Sequence, residues 1–396
     1  MNNLKVLISG AGIAGPSVAY WLRHYGFEPV LVERAPAIRT GGYVVDFWGL
    51  GFKVADQMGL LPALKDDAYD INEVRIVDDH GRRAGGFSVD AIKSVLGDRF
   101  LSVLRSDLAR LIYDSLDGQV RTMFGDTVTA IEQDENTVRV SFREAPPENF
   151  DLVIGAGGLH SPVREIVFGP EQRFEKYLGY YTASFIVTGY PHRDPHAYVS
   201  YTPPGRQVSR YALRGDRTVF FFVFATDERL PIAPHDTAAQ KRILREVFRH
   251  DGWECPAILK ALDDTEDLYF DAVSQIRMPA WTNGRVALVG DACSCPSLLA
   301  GQGTSLAMGA AYILAGELKK ADGDHRVAFK AYEDMLKPVL AGKQRSAAKF
   351  AGSFAPRTKL GIFVRNQVTR LMTRPVVAKL FMGRLLNDPL PFPRYS

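Results

Sequence analysis

The chain has 396 residues, 46% of them hydrophobic and 23% charged, and a formal net charge of +3. That length admits two domains or one elaborated one with an ample core, and the charge is too small to imply nucleic-acid binding. Three cysteines (Cys255, Cys293, Cys295) are too few for a disulfide framework and have no His at metal-ligand spacing, which predicts reduced thiols, no metal and a cytoplasmic protein. No apolar run reaches about 18 residues, so no spanning helix is expected, and the short apolar start reads as a sheet strand rather than a secretion signal.

In chain order, a strand at Val6, Leu7 and Ile8 runs into Gly10-x-Gly12-x-x-Gly15. A helical pattern with Ile13, Val18, Trp21 and Leu22 follows and stops at Gly26. A second strand then ends on Glu33, with Arg34 next to it. Strand, glycines, helix, strand and acid in this order predict a bound dinucleotide. Gly10 makes the turn, Gly12 lets the backbone approach a pyrophosphate beside Ala14, Gly15 permits close packing, and Glu33 accepts ribose hydroxyls. NAD and FAD satisfy that fingerprint equally.

Residues 39–42 read as a flexible connection in which Gly41 and Gly42 allow close backbone approach. Val74–Val77 is a strand entering a turn, 101–116 a helix with Arg105 near its start, and 127–131 with 138–142 a hairpin. Asp151–Gly158 repeats the strand-into-glycine logic. Long aromatic strands at 181–188 and 218–225, with a polar turn at Gly215-Asp216, predict an antiparallel sheet in an inserted second domain. Residues 238–262 read as one helix, 284–290 as a third strand-into-glycine element, 303–318 as a helix, and the chain from Phe329 as helical with a basic end.

Three motifs in this order carry a resemblance: the fingerprint with Glu33; Asp151 to Gly158 leading into Ser161-Pro-Val-Arg164; and Gly290-Asp291-Ala292 followed by Gly301-Gln-Gly303. Over residues 4–320 the chain resembles the FAD-dependent aromatic hydroxylases, single-component flavoprotein monooxygenases. Its texture at Ala14–Trp21 and Ala311–Leu318 is nearest the tetracycline-inactivating branch. The resemblance implies an α/β fold: a Rossmann-like, glutathione-reductase-like FAD domain (1–72, 98–175, 276–335), a substrate domain (73–97, 176–275) and a C-terminal helical segment (336–396).

It further implies FAD as cofactor, NADPH or NADH as transient reductant, and O2 as co-substrate. A flavin C4a-hydroperoxide would then hydroxylate an aromatic or polyketide-like small molecule, tetracycline-type compounds included. Cofactor contacts carried over are Gly10, Gly12, Ala14, Gly15, Glu33, Arg34, Gly42, Arg105, Gly157, Asp291, Gly301, Gly303 and Thr304, with no side chain assigned as catalytic because the flavin carries the chemistry. The family's usual Asp is Gly157 here, a departure that bears on reductant recognition. Leu298, Ser294 and Ser305 also depart from common family residues.

For substrate contacts the sequence offers Asp46 after the glycine pair, Arg206 and Arg210, and Phe220, Phe222 and Phe224, the phenylalanines being weighed against plain core packing. His160 reads as a loop histidine without a partner. The basic stretch Lys359, Arg365, Arg370, Arg374, Lys379 and Arg384, with no acid in 357–386 and with Leu380 among its apolar residues, is compatible with an anionic membrane surface. Packing across the two domains is the favoured reading. Rival functions are a flavin-dependent reductase or dehydrogenase of the same fold, or a non-catalytic FAD- or ligand-binding protein. No Trp-x-Trp-x-Ile-Pro run marks a halogenase.

Overall fold

The computed structural model describes residues 3–39, 41–192, 194–233, 235–371 and 392–395. Thr40, Arg374, Lys379, Leu380 and Arg384 lie outside the described residues. The opening strand, Lys5–Ser9, sits inside a six-stranded sheet. The order is Thr282–Asn283, Val286–Leu288, Leu152–Gly155, Lys5–Ser9, Glu28–Glu33 and Arg121–Phe124. All neighbours are parallel except the first pair. Helices on both faces explain why Val6, Leu7 and Ile8 are apolar without alternation, each with no accessible surface. Helix Ala14–His24 covers the sheet beside Gly303–Lys320, and Trp21 meets Tyr312 edge-on at 4.8 Å. Residues 392–395 return to this helix, where the Tyr312 hydroxyl donates to the Pro393 carbonyl at 2.9 Å.

The second sheet has seven strands, ordered Tyr269–Ile276, Glu175–Thr188, Arg217–Ala225, Arg206–Ala212, Ala197–Tyr201, Glu73–Val77 and Arg83–Ser88. It is antiparallel except where Ala197–Tyr201 pairs parallel with Glu73–Val77, the hairpin entering from a distant part of the chain. Two expectations need correction. Residues 101–104 belong to the strand Phe100–Leu104, paired with Val44–Trp48, and Arg105 is the first residue of helix Arg105–Asp114. The single helix expected over 238–262 is two, Thr237–Phe248 and Cys255–Asp263. Between them Trp253 adopts φ +54° and donates its N–H to the Asp79 carbonyl at 2.6 Å, so the chain is tied to the hairpin turn instead of continuing the helix. These two helices cover one face of the seven-stranded sheet, and the nucleotide-type sheet lies beyond the other.

Candidate active site

Lys5–Ser9 has Glu28–Glu33 on one side and Leu152–Gly155 on the other. The chain therefore reverses its direction of travel across the sheet here, and a crevice opens at the strands' C-terminal ends. Gly10 lies in that crevice with φ +112°, and a Cβ on it would stand 2.6 Å from the Ala156 carbonyl oxygen. Gly15 is closed off by the Gly10 carbonyl. Gly12 differs from both: among the described residues the only neighbour a Cβ there would meet is Arg105 Nη2, at 3.9 Å. Glu33 accepts the Ala11 N–H at 2.8 Å and the Ala35 N–H at 2.9 Å, one on each oxygen, which pins the strand tip and leaves lone pairs on both. Ala14 is buried in the adjoining helix and Arg34 is exposed.

Arg105 is half-buried and has no ion pair among the described residues, so its charge faces the bare Gly12 backbone. A half-desolvated guanidinium opposite a glycine loop and a helix N-terminus is a donor set for a pyrophosphate. Gly42 lies on the same side, its Cβ position 3.9 Å from the Arg105 Cβ. Asp291 follows Gly290 (φ +66°). Burial raises its carboxyl pKa, against the pull of Arg105. A Cβ on Gly303 would sit 3.8 Å from the Asp291 carboxylate, so the third motif closes on the same crevice. Gly301 is left-handed at φ +64° with open space above it, and half-buried Thr304 is the second residue of the 18-residue helix that starts at Gly303. Ser305 donates to the Trp48 carbonyl at 2.5 Å and accepts the Gly51 N–H at 2.7 Å, tying that helix to the wall of the cavity.

The crevice continues past Gly42 toward the second sheet. Tyr43 packs between Phe221 (5.8 Å) and Tyr269 (5.7 Å), and burial pushes its pKa up to about 12. Asp46 is exposed by accessible surface, yet desolvation raises its carboxyl pKa. It therefore faces a cavity walled by protein, with Ser102 donating to it at 2.8 Å. Tyr198, also raised to about 12 by burial, bonds Ser209 and Gln207 and feels the Asp46 charge, and the Gln207 amide donates to Ser209 Oγ at 3.1 Å. Polar Asp46, Ser102, Tyr198, Gln207 and Ser209 thus lie beside aromatic Tyr43, Phe221 and Tyr269, Ser209 and Phe221 being paired neighbours on one face of the sheet.

Of Asp46, Arg206, Arg210, Phe220, Phe222 and Phe224, expected from sequence to contact substrate, only Asp46 is found here. Strand alternation sends Gln207, Ser209 and Phe221 to the cavity and Arg206, Arg210, Phe220, Phe222 and Phe224 to the other face. Phe222 packs there on Phe248 at 5.1 Å and Phe185 at 5.8 Å. Arg206 pairs with Asp251 at 2.9 Å, and Arg210 with Glu254 and Asp194 at 2.8 Å each. Phe221, one of the phenylalanine run that the sequence offers for an aromatic pocket, does reach the cavity, whereas Tyr43, Ser102, Tyr198, Gln207, Ser209 and Tyr269 are not singled out by the sequence. The period-2 pattern at 206–212 separates two faces but does not say which one is covered by helices.

His160 also departs from its expectation, because it has partners. It lies between Glu171 (3.0 Å) and Asp271 (3.3 Å), which raise its pKa to about 10 from 6.5. Arg164, fully buried, donates to Glu171 and the Leu159 carbonyl at 2.6 Å and to the Ala292 carbonyl at 3.2 Å, binding the second motif to the third. A Cβ on Gly157 would come 3.0 Å from Pro162 Cδ, so the missing Asp coincides with a proline packed against its position. The folded state favours the imidazolium, so its stabilisation is complete below pH 6.5 and lost as pH rises through about 10. Melting temperatures of the wild type and His160→Gln should differ most at acidic to neutral pH and converge above about 10. A gap independent of pH would remove the ion-pair account.

The chain matches the family model described as "FAD binding domain" over residues 3–334. Its relatives include a flavin-dependent monooxygenase from an unknown prokaryotic organism, 35% identical over 401 residues and covering 100% of this chain and 99% of the relative. Another, from Legionella longbeachae, is 32% identical with the same coverage. Among solved structures, tetracycline destructase Tet(51) superposes with a TM-score of 0.83 at 34% identity, covering 99% of this chain and 100% of that one. HpxO from Klebsiella pneumoniae, solved with FAD and uric acid, superposes at 0.81 over 98% of both chains with 24% identity, a likeness of fold alone. With a glycine crevice built for a pyrophosphate and full-length relatives of this kind, the chain belongs to the FAD-binding-domain family of flavin-dependent monooxygenases.

Proposed function

We propose that the chain uses NADPH or NADH and O2 to hydroxylate an electron-rich aromatic or enolic, polyketide-like small molecule of the tetracycline type. The reaction balances as substrate, NAD(P)H, O2 and a proton giving hydroxylated product, NAD(P)+ and water. The observation that carries the reading is Arg105, without an ion pair among the described residues, facing bare Gly12 in a crevice that runs on into the cavity of Asp46, Tyr198, Gln207 and Ser209. Likeness to Tet(51), named as a tetracycline destructase, supports the substrate class.

Bound FAD supplies the chemistry, accepting reducing equivalents and activating O2 for transfer of one oxygen atom. The residues of the chain hold and shape. Gly10, Gly12, Ala14 and Gly15 would present backbone to the pyrophosphate, with Arg105 adding positive charge. Glu33 and Arg34 would bind the adenosine ribose region, and Asp291 and Gly157 the middle of the cofactor. Gly42, Gly301, Gly303 and Thr304 would face the flavin, the helix N-terminus favouring negative charge there. Asp46, its carboxyl raised by burial, would accept a hydrogen bond or proton from a substrate hydroxyl at its free oxygen, while Tyr43, Phe221 and Tyr269 exclude water from the ring face. Residues 73–97 and 176–275 form the substrate domain in this reading, 336–396 a C-terminal segment, and the remainder the cofactor domain, in a cytoplasmic enzyme.

The test mixes flavin-loaded protein with NADPH or NADH in air and screens phenols and tetracycline-type compounds. Substrate-stimulated oxidation with a gain of about 16 mass units, one oxygen atom, is the expected outcome. Substrate reduced without oxygen gain would replace it with the reductase reading. Flavin that neither cofactor reduces would favour a binding protein, in line with Gly157.

A further inference from the structure

The C-terminal helix Lys359–Leu371 is built inside out. It lies on the edge strand Arg83–Ser88 through polar residues. Thr369 Oγ1 accepts the Gly86 N–H at 3.3 Å, and Asn366 and Thr369 come within 3.4 Å and 3.1 Å of where a Cβ on Gly85 would stand. Apart from Ile362, which shares the side of Thr369, its large apolar residues point the other way. Of the seven large hydrophobic side chains exposed among the described residues, five are on this one helix: Leu360, Phe363, Val364, Val368 and Leu371. At 100° per residue they fall within one arc of roughly 140°, with Lys359 and Arg370 on one flank and Arg365 on the other. A surface helix normally buries such a stripe, and a contiguous exposed one marks a contact site.

Charge identifies the occupant. Residues 335–387 contain eleven Lys and Arg and no Asp or Glu, so against a total of +3 the rest of the chain is net negative. A second copy docking by the same face would bring Lys359, Arg365 and Arg370 of two copies together, because a twofold interface repeats the same patch on both sides. An anionic bilayer meets both features: its acyl boundary takes the apolar arc and its headgroups the flanking cations, in the manner of an in-plane amphipathic helix. No described helix is long and apolar enough to cross the membrane.

We infer that helix Lys359–Leu371 docks the protein on the surface of an anionic lipid membrane. This inference does not depend on the substrate proposed above. The test is flotation of the flavin-loaded full chain with phosphatidylcholine vesicles, with and without phosphatidylglycerol. Binding should require phosphatidylglycerol and fall with added salt. It should drop about tenfold or more in the double variant Leu360→Ser/Phe363→Ser, and about fivefold per charge in Lys359→Gln and Arg370→Gln. Flavin content and melting temperature are the controls for folding, and the charge variants keep the test open if the apolar pair misfolds. No flotation with phosphatidylglycerol, or equal flotation without it, would overturn the inference. So would a concentration-dependent dimer that Phe363→Ser disperses, which would assign the face to a second copy. Protection of 360–371 from hydrogen exchange without vesicles would assign it to another part of this chain and also overturn the inference.

Discussion

Replacing Gly12 with valine is expected to yield a folded protein that does not hold flavin. Among the described residues a Cβ at this position would meet only Arg105, whose flexible end can move, so the stability of the protein without flavin should change by less than about 1 kcal/mol. The lost space is what a pyrophosphate would need to reach the backbone. Removing two charge-assisted hydrogen bonds costs about 3 kcal/mol, so FAD affinity should fall by roughly two orders of magnitude. Gly10→Ala should behave in the opposite way. Its φ of +112° disfavours any side chain, and the new Cβ would press on the Ala156 carbonyl at 2.6 Å, forcing apart two neighbouring strands. The apoprotein melt should drop by several degrees for Gly10→Ala and hardly move for Gly12→Val, while flavin titration shows the large loss for Gly12→Val. A Gly12→Val protein that binds FAD as tightly as the wild type would refute the pyrophosphate site.

Phe221 and Phe222 are adjacent in one strand and should give opposite phenotypes. Phe222 is buried against Phe185 and Phe248 on the helix-covered face, so Phe222→Ala should cost about 3–5 kcal/mol of unfolding free energy. Its effect on the substrate constant of the surviving folded protein should be small. Phe221 is half-buried beside Tyr43 at the cavity, and Phe221→Ala should cost about 1 kcal/mol in stability while raising KM about tenfold or more. Denaturant midpoints and steady-state kinetics on both variants measure the contrast. If Phe222→Ala kept its stability and changed KM instead, the two faces of the strand would have been assigned the wrong way round.

Much of the cofactor half was legible because its requirements are local. A strand that must turn sharply into a helix needs Gly10, a ribose needs an acid at the end of the next strand, and both are readable within about 25 residues. Arg105 could be placed near the start of a helix for a similar reason. Its importance was harder to see, since what matters is that it forms no ion pair among the described residues while Asp291 feels its charge, and that depends on distant elements. In the substrate half, most of the conspicuous sequence pattern lies on the sheet face away from the cavity. Arg206, Arg210, Phe220, Phe222 and Phe224 stand out in a list of residues, but two helices cover their face of the sheet, and Phe221 turns toward the cavity with the quieter Gln207 and Ser209.

By itself, the sequence determined that three buried strands end in glycine, that an acid caps the second strand, that thiols are few, and that the end of the chain is basic and acid-free. Each of these follows from residue identity and short-range backbone geometry. Only the tertiary structure decided which sheet face meets the cofactor crevice and that His160 sits between two carboxylates. It also decided that the last described helix turns its apolar side outward. Period-2 and period-3.6 patterns define faces but not what lies against them, and that is settled by elements dozens to hundreds of residues away.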